Sequence, residues 1–224
     1  MSKEQIISVL PTEKHSATVI FLHGLMDTGS GWEGAIKMIR SQGGLEHVKF
    51  ILPTAPIIPV SINFGMKGTA WFDITSLSPG GNEDIAGLDK SKKFIESIIQ
   101  DEKTEYGIDS NRIILGGFSQ GGALTLYTGY QLQEKLAGLI VLSGFVPSLS
   151  LPSKMREENK STPMIMYHGT ADQLLNFKFG EMSFNLLKTQ GVNGTFHPVA
   201  GMGHSASEQE LREVSQFIKS TLPK

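Results

Sequence analysis

Short runs of β-branched and apolar residues alternate along the chain with longer segments in which apolar residues recur at helical spacing. Ala17 to Leu22 (ATVIFL) predicts a strand, because the run is too short for a buried helix. Further strands are predicted at Lys49 to Leu52, Arg112 to Leu115, Gly138 to Leu142, Met164 to Tyr167 and Thr195 to Val199. Between them, Glu83 to Gln100 sets Ile85, Leu88, Ile95, Ile98 and Ile99 on one face, the pattern of a helix laid on a sheet. Gln120 to Tyr130 reads as a second helix. The last segment opens with Ser207-Glu208-Gln209-Glu210, a capping-box pattern, and then places Leu211, Val214, Phe217 and Ile218 on one stripe.

Strands that are nearly continuous in Val, Ile and Leu are buried on both faces, which predicts a mostly parallel sheet covered by helices on each side. One α/β domain over residues 17–224 accounts for the pattern, with 1–16 as an N-terminal extension or edge strand. Two long stretches carry no regular pattern, Pro53 to Gly81 and Gly144 to Pro163. The first far exceeds the usual connection of about 4–6 residues, so it predicts a binding insertion or lid. It holds Ile57, Ile58, Phe64, Met66, Trp71, Phe72 and Leu77.

Composition narrows the chemistry. The 224 residues include no cysteine, which excludes disulfides, thiolate metal sites and a thiol nucleophile. Lys and Arg number 20 against 22 Asp and Glu, a formal charge of −2, and no basic surplus marks a nucleic-acid partner. No phosphate-binding loop with its lysine and no dinucleotide fingerprint follows a strand, and the histidines show no metal-ligand spacing, so neither cofactor nor metal is expected. The first residues lack the charged and apolar regions of a signal peptide, and no run approaches the ~18 apolar residues of a membrane span. A cytoplasmic protein is expected.

The sharpest local signal is Gly117-Phe118-Ser119-Gln120-Gly121, a G-x-S-x-G pattern. Among 25 glycines the bare pattern is weak. Its position between a predicted strand and a predicted helix is that of a nucleophile elbow, where glycines permit the strained turn that lifts a serine hydroxyl clear of the sheet. Such a hydroxyl is inert at neutral pH unless a base removes its proton, so a histidine and an orienting carboxylate are required, in the chain order Ser, acid, His. Of the histidines after Ser119, His168 closes a strand and His197 sits inside one, whereas His204 lies in the loop Gly201-Met202-Gly203-His204-Ser205. His204 is therefore the candidate base. Asp172, beyond the strand that ends near His168, is the only aspartate between Ser119 and His204. Taken alone it is equally a turn or cap aspartate. Glu134, Glu157, Glu158 and Glu181 fall in charged or helical segments that predict solvated surface. Negative charge on a tetrahedral intermediate needs backbone donors. Gln120 N–H supplies one, and the loop His23-Gly24-Leu25-Met26-Asp27 a second, from Leu25 or Met26, with His23 as a possible brace.

Taken together, Leu22-His23-Gly24-Leu25-Met26-Asp27-Thr28-Gly29 with Trp32, Pro53-Thr54-Ala55-Pro56, Trp71-Phe72-Asp73, Gly116 to Gly122 and Gly203-His204 resemble the acyl-protein thioesterase/lysophospholipase family of α/β-hydrolases. The resemblance runs from about Ala17 to the C-terminus. It implies an α/β-hydrolase fold, with Ser119 as nucleophile, Asp172 as acid, His204 as base and the amides of Leu25 and Gln120 as oxyanion hole. It further implies hydrolysis of long acyl thioesters on S-acylated protein cysteines, and of lysophospholipid esters. Trp71, Phe72 and Leu174 are the expected substrate-binding residues, with the acyl channel sought along Ile57 to Leu77 and beside Leu174 and Leu175. Two departures stand out. Met26 replaces a small glycine of the family beside the oxyanion loop, and Asp172-Gln173-Leu174-Leu175-Asn176 lacks the prolines common in the acid loop. A short-chain carboxylesterase and a non-catalytic binding protein of the same fold are the competing readings.

Overall fold

The computed structural model describes residues 6–76 and 83–224. Its centre is a sheet of β1 (Ile6–Val9), β2 (Ala17–Leu22), β3 (Val48–Pro53), β6 (Ile113–Phe118), β7 (Gly138–Leu142), β8 (Met164–Gly169) and β9 (Gly194–Val199). The order is β1-β3-β2-β6-β7-β8-β9, and every pair is parallel except β1 with β3. Helices α1 (Glu33–Ser41), α2 (Ile85–Tyr106), α3 (Gln120–Gly129), α6 (Phe177–Thr189) and α7 (Glu208–Thr221) flank it, with two short helices, α4 (Leu151–Lys154) and α5 (Glu157–Lys160), at the periphery. A separate antiparallel hairpin joins β4 (Ile57–Val60) to β5 (Met66–Thr69).

Burial explains why the strands read as unbroken apolar runs. All six residues of β2 are buried, Ile20 and Leu22 toward one core and Val19 and Phe21 toward the other. The first core takes Leu88, Ile95 and Ile98 of α2 with Ala123, Leu124 and Tyr127 of α3. The second takes Ile36 and Ile39 of α1 with Leu211, Val214 and Ile218 of α7. A polar tie crosses the first layer: buried Glu102 of α2 accepts Lys49 Nζ of β3 at 2.6 Å and Thr18 Oγ1 of β2 at 2.5 Å.

Five of the six predicted strands lie within a residue or two of their expected bounds, and the sixth, expected at Arg112 to Leu115, runs three residues further to Phe118 through Gly116 and Gly117, which carry no strand pattern. The helix sought over Glu83 to Gln100 starts after its Asp84 cap and runs on to Tyr106, where Gly107 (φ 69°) takes the left-handed position that ends it. Within the stretch Pro53 to Gly81, the part without visible pattern contains the hairpin, while Leu77 lies outside the described residues. The N-terminal residues contribute β1 as an antiparallel edge strand.

Strand order fixes where a site can form. From β2 the chain moves outward to β3, then returns across the sheet to β6 on the other side of β2. The loops leaving the C-terminal ends of β2 and β6 therefore diverge, opening a crevice at this switch point. Leu22 and Gly117 are partners in that register, so the loop beginning at His23 and the turn at Ser119 leave the sheet side by side.

Candidate active site

Ser119 caps α3 with φ 53° and ψ −116°, a conformation that costs a side-chain-bearing residue about 1–3 kcal/mol. Close packing compels it. A Cβ on Gly117 would lie 2.4 Å from Gly121 C, and one on Gly121 would lie 2.2 Å from the Leu22 carbonyl oxygen, so both flanks of the turn admit only glycine. Ser119 N–H donates to the Leu142 carbonyl at 2.8 Å and Ala123 N–H to the Ser119 carbonyl at 2.9 Å, which fixes the turn between β7 and the first turn of α3.

His204 and Asp172 stand 85 and 53 residues from Ser119 in sequence and converge on it in space. Asp172 follows β8, and its Oδ1 accepts Leu174 N–H at 2.9 Å and Leu175 N–H at 2.8 Å. Those bonds turn Oδ2 toward His204, whose Nδ1 donates to it at 2.7 Å. A carboxylate at Nδ1 keeps the ring hydrogen there and leaves Nε2 free to accept the Ser119 hydroxyl, 2.9 Å away. The His204 loop is held against β8: Ala171 N–H donates to the Met202 carbonyl at 3.0 Å, and a Cβ on Gly169 would meet that carbonyl oxygen at 2.2 Å. Phe118 packs on the imidazole with ring centroids 4.9 Å apart. The Asp172 side chain is wholly buried and the His204 side chain is 14% exposed, so the dyad is shielded except on the side of the serine and substrate.

Behind the acid lies His168, fully buried, whose Nε2 donates to the Leu175 carbonyl at 2.8 Å and stands 3.4 Å from Asp172 Oδ2. Burial holds its pKa below the usual histidine value, so the ring is a neutral brace for the acid loop. Gly180 lets α6 close over it, since a Cβ there would lie 2.3 Å from Nδ1. Sequence reasoning set His168 aside as a strand residue, and only its adjacency to the 169–172 turn could have flagged it.

The loop after β2 is braced in the same manner. Ala55 N–H donates to His23 Nε2 at 2.9 Å, so Nδ1 carries the hydrogen and donates to the Gly24 carbonyl at 2.6 Å. Trp71 Nε1–H donates to the His23 carbonyl at 2.9 Å, while Trp71 N–H and the Phe72 carbonyl bracket the Gln120 side-chain amide at 2.9 and 2.8 Å. Met26 N–H is engaged by the Thr69 carbonyl at 2.8 Å. Leu25 N–H and Gln120 N–H find no acceptor among the described residues, and they flank the turn at Ser119. Trp71 and Phe72 are buried, whereas Leu174 is 61% exposed beside the acid. Of the four competing glutamates, Glu134, Glu157 and Glu158 pair with Lys103, Lys160 and Arg156 at the surface, and Glu181 is exposed.

A hydroxyl on a base and the base on a buried acid form a constellation suited to acyl transfer. The family model for phospholipases and carboxylesterases matches residues 3–222. The chain belongs to the phospholipase/carboxylesterase family. As a member of it, the protein is a hydrolase with the α/β-hydrolase fold. It is 55% identical over 98% of its length to acyl-protein thioesterase 1 homolog 2 of Dictyostelium discoideum, covering 99% of that protein. Acyl-protein thioesterase 1 of Neurospora crassa is 45% identical over 94% of this chain and 89% of its own. Among solved structures, Zea mays acyl-protein thioesterase 2 superposes with a TM-score of 0.87 at 30% identity, covering 97% of this hydrolase and 98% of that chain.

Just beyond His204, the hydrolase carries a titrating cap. Ser207 and Glu210 form the capping box of α7, and burial pushes the Glu210 carboxyl up to about 7. The folded state thus holds this proton more tightly than the unfolded chain. The resulting stability is full below the ordinary glutamate pKa and is lost as pH rises through about 7. Glu210→Gln preserves the box without the charge, so wild type is expected to lose about 2 kcal/mol relative to E210Q between pH 5 and pH 8. Thermal melts of both proteins across that range check it; parallel pH curves would refute it.

Proposed function

We propose that this hydrolase cleaves long-chain acyl thioesters on S-acylated protein cysteines, and lysophospholipid esters, through an acyl-enzyme on Ser119. The observation that carries the reading is the continuous hydrogen-bonded relay Ser119 Oγ, His204 Nε2, His204 Nδ1 and Asp172 Oδ2 at the sheet's switch point. Relatives named acyl-protein thioesterase, at 45–55% identity over nearly the whole chain, support the substrate class.

In this mechanism Ser119 Oγ attacks the acyl carbonyl while its proton passes to His204 Nε2. Leu25 and Gln120 N–H groups receive the oxyanion, and the N-terminus of α3 adds its partial positive charge. The intermediate collapses, the C–S or C–O bond breaks, and His204 returns the proton to the leaving thiolate or alkoxide. A water then gives its proton to His204 and attacks the acyl-enzyme, releasing the fatty acid and restoring Ser119. Asp172 holds the imidazole's tautomer and stabilises its cation. Leu174, Trp71 and Phe72 are proposed to border the acyl chain, Leu174 by direct contact and the two buried aromatics from behind. No helix among the described residues is long and apolar enough to cross a membrane, and a cytoplasmic location is proposed.

A series of acyl thioesters and oxygen esters from butyryl to palmitoyl tests the substrate class. Each CH₂ that enters an apolar channel contributes ~0.8 kcal/mol, so kcat/KM is expected to rise about fourfold per CH₂ until the channel is filled. A profile that peaks at butyryl would replace this reading with the short-chain carboxylesterase, which the Met26 side chain beside the oxyanion loop favours.

A further inference from the structure

We infer that Met26 is a positioning residue, whose side chain, keyed over Gly68, locks the β4–β5 hairpin to the oxyanion loop. The inference rests on the reading of Leu25 and Gln120 as oxyanion donors. Met26 sits at φ 65°, left-handed backbone that a side-chain-bearing residue rarely takes, and it holds that conformation directly after Leu25. Its thioether lies flat on the glycine of β5: a Cβ on Gly68 would stand 1.9 Å from Met26 Sδ and 2.6 Å from Cε. A methyl at residue 68 would therefore push Sδ and Cε, the free end of the Met26 side chain, off the hairpin.

One backbone and one side-chain hydrogen bond flank this contact. Met26 N–H donates to the Thr69 carbonyl at 2.8 Å, and Thr69 Oγ1 donates to the Asp27 carbonyl at 2.6 Å. From the other side, the hairpin connects to the second donor. Ala70 N–H donates to the Pro56 carbonyl at 3.0 Å, and the next residues, Trp71 and Phe72, clasp the Gln120 side chain. The residue after Leu25 and the side chain of Gln120 are thus both bonded to one insertion. That insertion has little core of its own: Ile57 is 66%, Phe64 97% and Met66 61% exposed. Val60 and the following Trp71 and Phe72 are buried, so the base of the insertion is anchored in the core while the exposed hairpin depends on its fastenings for its placement against the oxyanion loop. On the Leu25 side two side chains make the fastening, Met26 over Gly68 and the Thr69 hydroxyl on the Asp27 carbonyl, and only Met26 belongs to the oxyanion loop. An oxyanion donor displaced by a fraction of an ångström stabilises the transition state less while leaving ground-state binding nearly intact, so the signature is a loss in kcat rather than a rise in KM.

A double-mutant cycle on the contact tests it. Met26→Ala empties the space over Gly68, and Gly68→Ala drives a methyl into the sulfur; each is expected to lower kcat about tenfold with KM within about twofold. In M26A/G68A the new methyl occupies the space that Sδ and Cε leave, the two atoms it would meet at 1.9 and 2.6 Å, and kcat is expected to recover to within about threefold of wild type. Met26→Leu, which keeps the volume, is expected to stay within about twofold. Because Met26 is 49% exposed, M26A should leave Tm nearly unchanged. The inference is overturned if both single variants keep wild-type kcat, if the double variant loses activity additively, or if kcat falls only in step with Tm. Ser119→Ala, assayed alongside, separates the two levels: an inactive S119A with a silent cycle overturns the role of Met26 alone, whereas an active S119A overturns the acyl-enzyme reading beneath it.

Discussion

Replacing Ser119 by alanine is expected to lower kcat/KM for acyl esters and thioesters by at least ~10⁴-fold and to abolish covalent labelling by a fluorophosphonate probe. The size follows from what remains. Without Oγ no acyl-enzyme forms, and the amide donors can assist only direct attack by water, which has no positioned nucleophile. The fold should persist, because the left-handed turn is imposed by Gly117 and Gly121 packing against backbone and not by the hydroxyl. Alanine inherits the same φ of 53° and loses one partly buried hydrogen bond to His204, so Tm should move by only a few degrees. A wild-type protein that neither turns over acyl substrates nor takes the probe would instead be a binding protein of this fold.

The sheet and the Ser119, Asp172 and His204 arrangement were legible in the sequence for one physical reason: each depends on residue types that have few substitutes. Strands covered on both faces must be apolar throughout, so Ala17 to Leu22 and Gly138 to Leu142 announce themselves. A turn with no room for Cβ must have glycine, and a relay from hydroxyl to carboxylate must have a histidine between. The hairpin obeys no such constraint. Ile57, Phe64 and Met66 face solvent, so their apolar character carries no burial period, and Pro59 within β4 reads against a strand. The amides of Leu174 and Leu175 that aim Asp172, like those of Leu25 and Gln120, are backbone groups common to any residue but proline. His168 becomes informative only through its contact with Asp172, and Met26, although it departs from the family's glycine in sequence, shows what it touches only through its contact with Gly68.

Those two amides decide what Asp172→Asn does. Leu174 N–H and Leu175 N–H both point at Oδ1 within 2.9 Å, and a side-chain NH₂ placed there would set donor against donor twice in a buried site. At Oδ2 the opposing groups are His204 Nδ1 at 2.7 Å and, less closely, His168 Nε2 at 3.4 Å, whose hydrogen is already given to the Leu175 carbonyl. Each unsatisfied buried donor costs about 1–3 kcal/mol, so the substituted amide keeps its oxygen on the two backbone N–H groups and turns its NH₂ toward His204. A donor facing Nδ1 makes that nitrogen the acceptor and moves the ring hydrogen to Nε2, where it opposes the Ser119 hydroxyl. The base is then blocked, although every heavy atom stays in place. D172N is accordingly expected to lower kcat by about 10⁴-fold. Asp172→Ala removes the acid but leaves the imidazole free to adopt either tautomer, so it should retain more activity than D172N, an order that charge loss alone does not produce. Nitrogen-resolved NMR of His204 should find hydrogen on Nδ1 in wild type and on Nε2 in D172N. Activity of D172N within tenfold of wild type, or a hydrogen still on Nδ1, would show that the Leu174 and Leu175 amides do not set the orientation of residue 172.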